Sequence, residues 1–290
     1  MGQSNVKLPG SESQATERPC GFGNSTSICP ARRARLRKAR VATDVSSLVQ
    51  TILALLGRTV AGNPAQFMIE KTLAHHQFDW RFLSFEVSPE SLSDAVKGIR
   101  ALGFRGAILA DPHKEAVLPL VDRLGATAEQ TGRVNCLWFD QRQLRGENTE
   151  GRGVARALHG RVAPGSPVAI LGAGLTAKAI ALELAENAVS LVAEQAPWTV
   201  PADCAAVIDA ASADGLSPPP VDFHAKTPVV VGGTIAPDDE LLARAREHGC
   251  PVIDGLEVLV EQIAECFRLW TGIEPDRGVL REAAEEFLEL

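Results

Sequence analysis

The run Val168-Ala169-Ile170-Leu171-Gly172-Ala173-Gly174-Leu175-Thr176-Ala177-Lys178 places G-x-G-x-x-A between a hydrophobic strand-like stretch and a helix-like one. Gly172 permits a tight turn, Gly174 lets the backbone approach a pyrophosphate, and Ala177 keeps helix and strand close. The helix N-terminus offers free N–H groups to phosphates. The chemistry implied is dinucleotide binding, although a glycine turn that binds nothing has the same pattern. Glu194 falls 22 residues after Gly172, at the end of the next predicted strand. An acid there hydrogen-bonds a ribose 2′-OH and repels a 2′-phosphate, which favours NAD over NADP. Gln195–Cys204 spans ten residues, short of the dozen or so that a parallel crossover uses. The adenosine side is therefore cut down, and a chain that binds no cofactor stays open.

Other reactive residue types carry less. His75 and His76 are adjacent on a predicted helix and do not face one metal, so a surface or capping role is expected. Cys136 has no evident histidine–acid partner and reads as a small buried residue. The six cysteines are scattered without a C-x-x-C pair, which argues against a disulfide framework or zinc site and suits a reducing cytoplasm. The chain has no tyrosine, so a mechanism that needs a phenol is excluded.

The elements that must position these residues follow from the apolar pattern. Predicted strands are 80–87, 106–110, 134–139, 143–146, 168–171, 189–193, 205–209, 229–231 and 252–253. Predicted helices are 65–76, 88–102, 113–124, 176–186, 238–247 and 256–269, with an amphipathic one in 282–289. Ser88-Pro89-Glu90 opens one helix with a cap, a proline and an acid, and Gly103 ends it. A turn is expected at Asp140-Gln141. Strands alternating with helices imply βαβ units and mostly parallel sheets.

Of the 290 residues, 45% are apolar and 22% charged, an ordinary globular composition. No uncharged apolar run reaches the length of about 18 that a membrane helix needs. Residues 1–42 are Ser-, Gly-, Pro- and Arg-rich with eight Lys/Arg against two Glu, and read as a basic disordered tail. The remainder is strongly acidic, so neither nucleic acid nor an anionic membrane is an expected partner.

Taken together, several motifs resemble shikimate dehydrogenases from Gly62-Asn63-Pro64 to the C-terminus. They are Pro112-His113-Lys114-Glu115-Ala116-Val117-Leu118-Pro119-Leu120, Val134-Asn135, Asn148-Thr149-Glu150-Gly151, the glycine loop, Asp254-Gly255-Leu256, Gln262, and Leu269-Trp270-Thr271-Gly272 through Asp276. The resemblance implies a two-lobed α/β fold: an N-terminal α/β substrate lobe, a Rossmann-like parallel-sheet lobe, and C-terminal helices packing back on the first lobe. On this sequence the segments are 43–160, 161–272 and 273–290. It also implies a cytoplasmic, NADP-dependent enzyme of aromatic amino-acid biosynthesis that reduces a ring carbonyl, with a small-molecule substrate and a homodimer as a further expectation.

Carried over residue by residue, Lys114 is the catalytic lysine and Glu150 its carboxylate partner. Asn135 and Gln262 bind substrate, and Gly255 touches the nicotinamide. His113 is structural. Gly172, Gly174, Ala177 and Glu194 complete the expected cofactor site. An ammonium in this place stabilises and protonates the alkoxide that forms when a carbonyl accepts hydride.

The departures have a direction. Glu150 stands where the family has aspartate. The two serines that hold the substrate carboxylate align with Met68 and Glu70, and an asparagine and a threonine with Ile108 and Ala110. The second loop glycine is Leu175, and the Asn-Arg-Thr that clasps the NADP phosphate is Ala193-Glu194-Gln195. Lost anchors at both ends fit an altered substrate, such as a polyol or hydroxy-ketone without a carboxylate. They also fit an inactive family member that binds a ligand or a protein.

Overall fold

Strands with apolar residues on both faces form the centres of two sheets in the computed structural model, which describes residues 49–192, 200–216, 221, 223, 227–235 and 239–290. The basic tail expected over 1–42 lies outside the described residues.

The first sheet has β1 (Thr51–Gly57), β2 (Trp80–Glu86), β3 (Gly106–Leu109), β4 (Arg123–Leu124), β5 (Cys136–Asp140) and β6 (Gln143–Glu147), in the order β2-β1-β3-β5-β6-β4. It is mixed: β1 runs parallel to β2 and β3, and β5 runs antiparallel to β3 and β6. Helices α1 (Ala65–His75), α2 (Leu92–Leu102), α3 (His113–Ala116) and α4 (Ala126–Thr131) connect its strands. The second sheet is wholly parallel, with β7 (Pro167–Leu171), β8 (Ala188–Val192), β9 (Ala206–Asp209), β10 (Val229–Val231) and β11 (Val252–Ile253) in the order β11-β10-β9-β7-β8.

Helix α5 (Glu150–Leu158) passes between the sheets. Helices α6 (Leu175–Glu183) and α7 (Glu240–Glu247) belong to the second sheet, and α8 (Gly255–Thr271) and α9 (Arg277–Leu288) end the chain. The terminal pair returns to the first sheet: Val260, Ile263, Phe267 and Trp270 of α8 and Leu280 of α9 share one core with Leu53, Leu55, Met68 and Ile69. Trp270 Nε1 donates to the Leu137 carbonyl at 2.9 Å, so the indole is both buried and satisfied. His75 Nε2 lies 3.8 Å from Asp276 Oδ2, and His76 Nε2 accepts from the Asp276 N–H at 3.3 Å, at the start of α9.

Three local expectations need correction. The predicted helix 113–124 is only α3, then a 3-10 turn Leu118–Leu120, then β4. Pro119 has no N–H for the Glu115 carbonyl, and the Lys114 carbonyl is taken by the Val134 N–H at 2.8 Å. The hairpin turn is Gln141-Arg142, both at positive φ, rather than Asp140-Gln141. The segment opened by Ser88 starts as a 3-10 turn over Pro89–Ser91 before α2. Strand β1 and helices α4 and α5 had no counterpart in the sequence prediction.

Candidate active site

Chain order in the second sheet reverses between β7 and β9, and a crevice opens outside the carboxyl ends of strands at such a switch point. Gly172 follows β7 there, at φ +109, a conformation that L side chains rarely adopt. Helix α5 closes on this crevice because two of its residues lack side chains. A Cβ at Gly151 would run into the Ala179 carbonyl of α6, and one at Gly153 would lie 2.9 Å from the Val258 carbonyl of α8. Glu150, the first residue of α5, is thereby carried to the junction of both sheets beside Gln262.

Lys114 on α3 meets it there. Nζ lies 2.7 Å from Glu150 Oε1 and 3.0 Å from Asp111 Oδ2, and the lysine and glutamate side chains are only 16% and 13% exposed. Burial pulls the lysine pKa down, but Glu150 and then Asp111 outweigh it and hold the ammonium above its ordinary value. Asp111 is held below the usual carboxylate range: burial opposes this, and Lys114 and Arg133 prevail. Glu150 Oε2 is buried without a hydrogen-bond partner.

A cavity of about 230 Å³ adjoins the pair, lined by Asn63, Ala65, Ile108, Ala110, Asn135, Gln262 and Cys266 among others. The structure thus brings together Lys114, Glu150, Asn135 and Gln262, as expected. The side chain of Asn135 is already engaged: its Oδ1 accepts from the Thr149 N–H at 2.7 Å and its Nδ2 donates to Thr149 Oγ1 at 2.9 Å. Met68 and Glu70, expected as the altered carboxylate anchors, do not reach the cavity. Met68 is fully buried in the core, and Glu70 accepts the Phe82 N–H of β2. Asn63 and Ala65 line the cavity instead. Ile108 and Ala110 do line the cavity and make that part of its wall apolar.

A second cavity of about 190 Å³ shares Glu150, Leu259 and Gln262 with the first and runs over Thr176, Ile208, Asp209, Gly232, Gly233, Thr234 and Gly255. Burial pushes the Asp209 carboxyl above its ordinary value despite hydrogen bonds from Ser212. Gly255 sits against the Thr234 carbonyl, where no Cβ would fit. Ala177 is fully buried, as a close helix–strand contact requires. Glu194, the basis for preferring NAD, lies outside the described residues, as does the first half of the shortened crossover, 195–199.

Beyond this cavity one side chain, Asp214, lies against the glycine loop, whose Ala173 and Gly174 are otherwise exposed. The Asp214 carboxylate lies on Gly174 so closely that a Cβ there would collide with it. Thr176 Oγ1 donates to Asp214 Oδ1 at 2.6 Å, and Arg133 Nη1 approaches the same oxygen at 3.8 Å. The residues therefore fit a nicotinamide at the lysine end, whereas a side-chain carboxylate occupies the phosphate end. Asp111, Arg133, Asp209 and Asp214 were missed by sequence reasoning. Asp111 has a local signal, one helical turn before Lys114, but Arg133 and Asp214 are 81 positions apart and carry none.

The remaining candidates are structural. His113 is fully buried with Nε2 at 2.8 Å from the Val87 carbonyl. Cys136 is fully buried, and burial, then its neighbour Cys266, pushes its thiol well above the ordinary value, the opposite of an activated nucleophile. Among the described residues no cluster of His, Cys, Asp and Glu could hold a metal, and no helix is long and apolar enough to cross a membrane.

Comparison with known proteins agrees with this geometry. Residues 55–137 match the shikimate dehydrogenase substrate binding domain, and residues 255–285 the shikimate 5′-dehydrogenase C-terminal domain. The Thermus thermophilus shikimate 5-dehydrogenase, solved with NADP(H) and shikimate, superposes with a TM-score of 0.72 at 28% identity, over 82% of this chain and 100% of that one. A 5-ketofructose reductase of Gluconobacter sp. superposes with a TM-score of 0.76 at 28% identity, over 82% and 99%. A shikimate dehydrogenase (NADP(+)) of Thermococcus kodakarensis is 35% identical over 231 residues, 71% of this chain and 85% of the relative. With that span of identity running through both sheets and the lysine–carboxylate pair in place, the chain belongs to the shikimate dehydrogenase family.

Proposed function

We propose that this chain is a nicotinamide-dependent oxidoreductase that interconverts a ring hydroxyl and the corresponding ketone, with Lys114 as its proton-transfer residue. The observation that carries the reading is the Lys114 ammonium, fixed between Glu150 and Asp111 beside two adjoining cavities. When bound, the nicotinamide gives or takes the hydride. Lys114 stabilises the developing alkoxide and delivers its proton, a role worth roughly 10²–10⁴ in rate. Glu150 and Asp111 keep that lysine charged and aimed. Glu150 Oε2, buried and unpaired, accepts a hydrogen bond from a substrate hydroxyl. Gln262 reaches the same space from α8, and Asn135 holds Thr149, the residue before Glu150, in place.

Residues 43–160 form the proposed substrate lobe and 161–272 the proposed dinucleotide lobe, with Gly172, Gly174, Ala177 and Gly255 on the cofactor side. NADP is the first cofactor to test, because the relatives are named for it; Glu194 argues for NAD. The substrate cavity offers Ala65, Ile108 and Ala110 where hydroxyl or amide donors would grip a carboxylate. Its described cation, Lys114, is already neutralised by two acids. A hydroxy-ketone or polyol without a carboxylate suits this wall. The Gluconobacter relative, named for a keto sugar, is consistent with it.

The test follows nicotinamide absorbance with NADP and NAD over a panel of shikimate-like acids and neutral cyclic polyols. Turnover lost in Lys114→Met supports the reading, and a folded protein silent throughout overturns it. One observation favours the second reading, an inactive ligand- or protein-binding member: Asp214 over the glycine loop. Micromolar binding of either cofactor in calorimetry counts against that version.

A further inference from the structure

Asp214, the carboxylate that disagrees with a ready cofactor site, belongs to one connected row of polar and charged side chains. Thr176 Oγ1 holds Asp214 Oδ1 at 2.6 Å, Arg133 Nη1 lies 3.8 Å from that oxygen, and Arg133 Nη2 donates to Asp111 Oδ1 at 2.9 Å. Asp111 Oδ2 then meets Lys114. Every link is a side chain, and the row runs from the glycine loop to the proton-transfer lysine.

Its middle members are imperfectly satisfied. Arg133 is only 10% exposed, yet its Nε has no partner. Asp214 Oδ2 is buried, also unpartnered, and rests on Gly174. A buried acceptor and a buried guanidinium donor left unpaired each cost free energy. Gly174 leaves room for an anion to approach the backbone at the start of α6, and the anion present there is Asp214. Its carboxylate carries the charge sign of a phosphate and occupies the same kind of seat, so it excludes one by both volume and repulsion. A diphosphate entering the seat would bring more acceptor oxygens to Thr176 and Arg133 than one carboxylate does.

We propose that Asp214 is an internal occupant of the phosphate seat, and that Arg133 and Thr176, which hold it there, receive a dinucleotide phosphate once it swings out. Asp214 thereby sets cofactor affinity. Because Arg133 also touches Asp111, cofactor docking and the environment of Lys114 are linked. The inference rests on the dehydrogenase reading above and names residues that reading does not use.

The experiment is calorimetric titration of NADP, NAD and inorganic pyrophosphate into the full chain, with thermal stability recorded for each variant. Asp214→Ala is expected to bind NADP about tenfold more tightly than the natural chain, and Asp214→Asn, which keeps the shape, severalfold more tightly. Adding Arg133→Met to Asp214→Ala should remove about tenfold of affinity and most pyrophosphate binding. If both Asp214 variants are folded and bind within about twofold of the natural chain, the proposal is overturned. Tight binding that survives Arg133→Met overturns the assignment of Arg133. Turnover in the natural chain with unchanged affinity in the variants sinks this inference alone. Tightened binding without turnover on any substrate sinks the catalytic reading alone.

Discussion

Lys114 Nζ and Glu150 Oε1 stand 2.7 Å apart across 36 positions of sequence, in direct ion-paired contact. The longer acid reaches the lysine without displacing it, since Glu150 is the first residue of α5, and Gly151 and Gly153 let that helix settle deep between α6 and α8. Glu150, one methylene longer than the family's aspartate, thus still pairs with Lys114.

That contact sets a pH dependence. Carbonyl reduction uses the ammonium form of Lys114, whose pKa is held above the ordinary lysine value mainly by Glu150 against the pull of burial. Reduction should therefore persist into alkaline solution and decline as pH rises through the raised pKa. In Glu150→Gln the largest raising contribution is gone, so the decline moves to lower pH. Profiles of kcat/KM for reduction in the two proteins check this, and coincident alkaline limbs would refute it. Glu150→Asp keeps the charge but shortens the reach by more than 1 Å, and should cost about a hundredfold in kcat.

Ala65→Ser combined with Ala110→Thr should shift substrate preference. Each adds a hydroxyl to a wall that has none at these positions, and a hydrogen bond to a charged group contributes roughly 1.5–3 kcal/mol. The ratio of kcat/KM for a ring carboxylate over its neutral counterpart should rise about tenfold or more. An unchanged ratio would mean the carboxylate is held elsewhere.

Asn135→Ala should damage stability as well as turnover. The Thr149 N–H and hydroxyl are fully buried and both pair with the Asn135 side chain. Leaving them unmatched costs about 1–3 kcal/mol, readable as a lower urea midpoint with unchanged slope. A variant as stable as the natural chain would show that Asn135 serves substrate alone.

Gly151→Ala places a methyl group against the Ala179 carbonyl, a backbone atom that cannot step aside. Helix α5 must retreat from α6, with an expected loss of about 1–3 kcal/mol and a drop in kcat through Glu150. Normal kcat and normal stability together would contradict the packing described for α5.

The sequence by itself determined the periodic elements and the local motifs. Apolar runs buried on both faces, such as 168–171 and 229–231, marked the parallel strands within a residue or so, because both faces of those strands are covered. Gly103 ended α2 in the left-handed conformation as its position foretold, and Lys114, Asn135, Glu150 and Gln262 were legible in order from the motifs that carry them. Helix α5, glycine-rich and weak in intrinsic propensity, was not legible, since its stability comes from packing against α6 and α8. Nor was the contact of Arg133 with Asp214, or the burial of Met68 and the reach of Glu70 to the edge strand β2. Such relations depend on which face of each element meets its neighbour across the fold, and only the tertiary structure settles that.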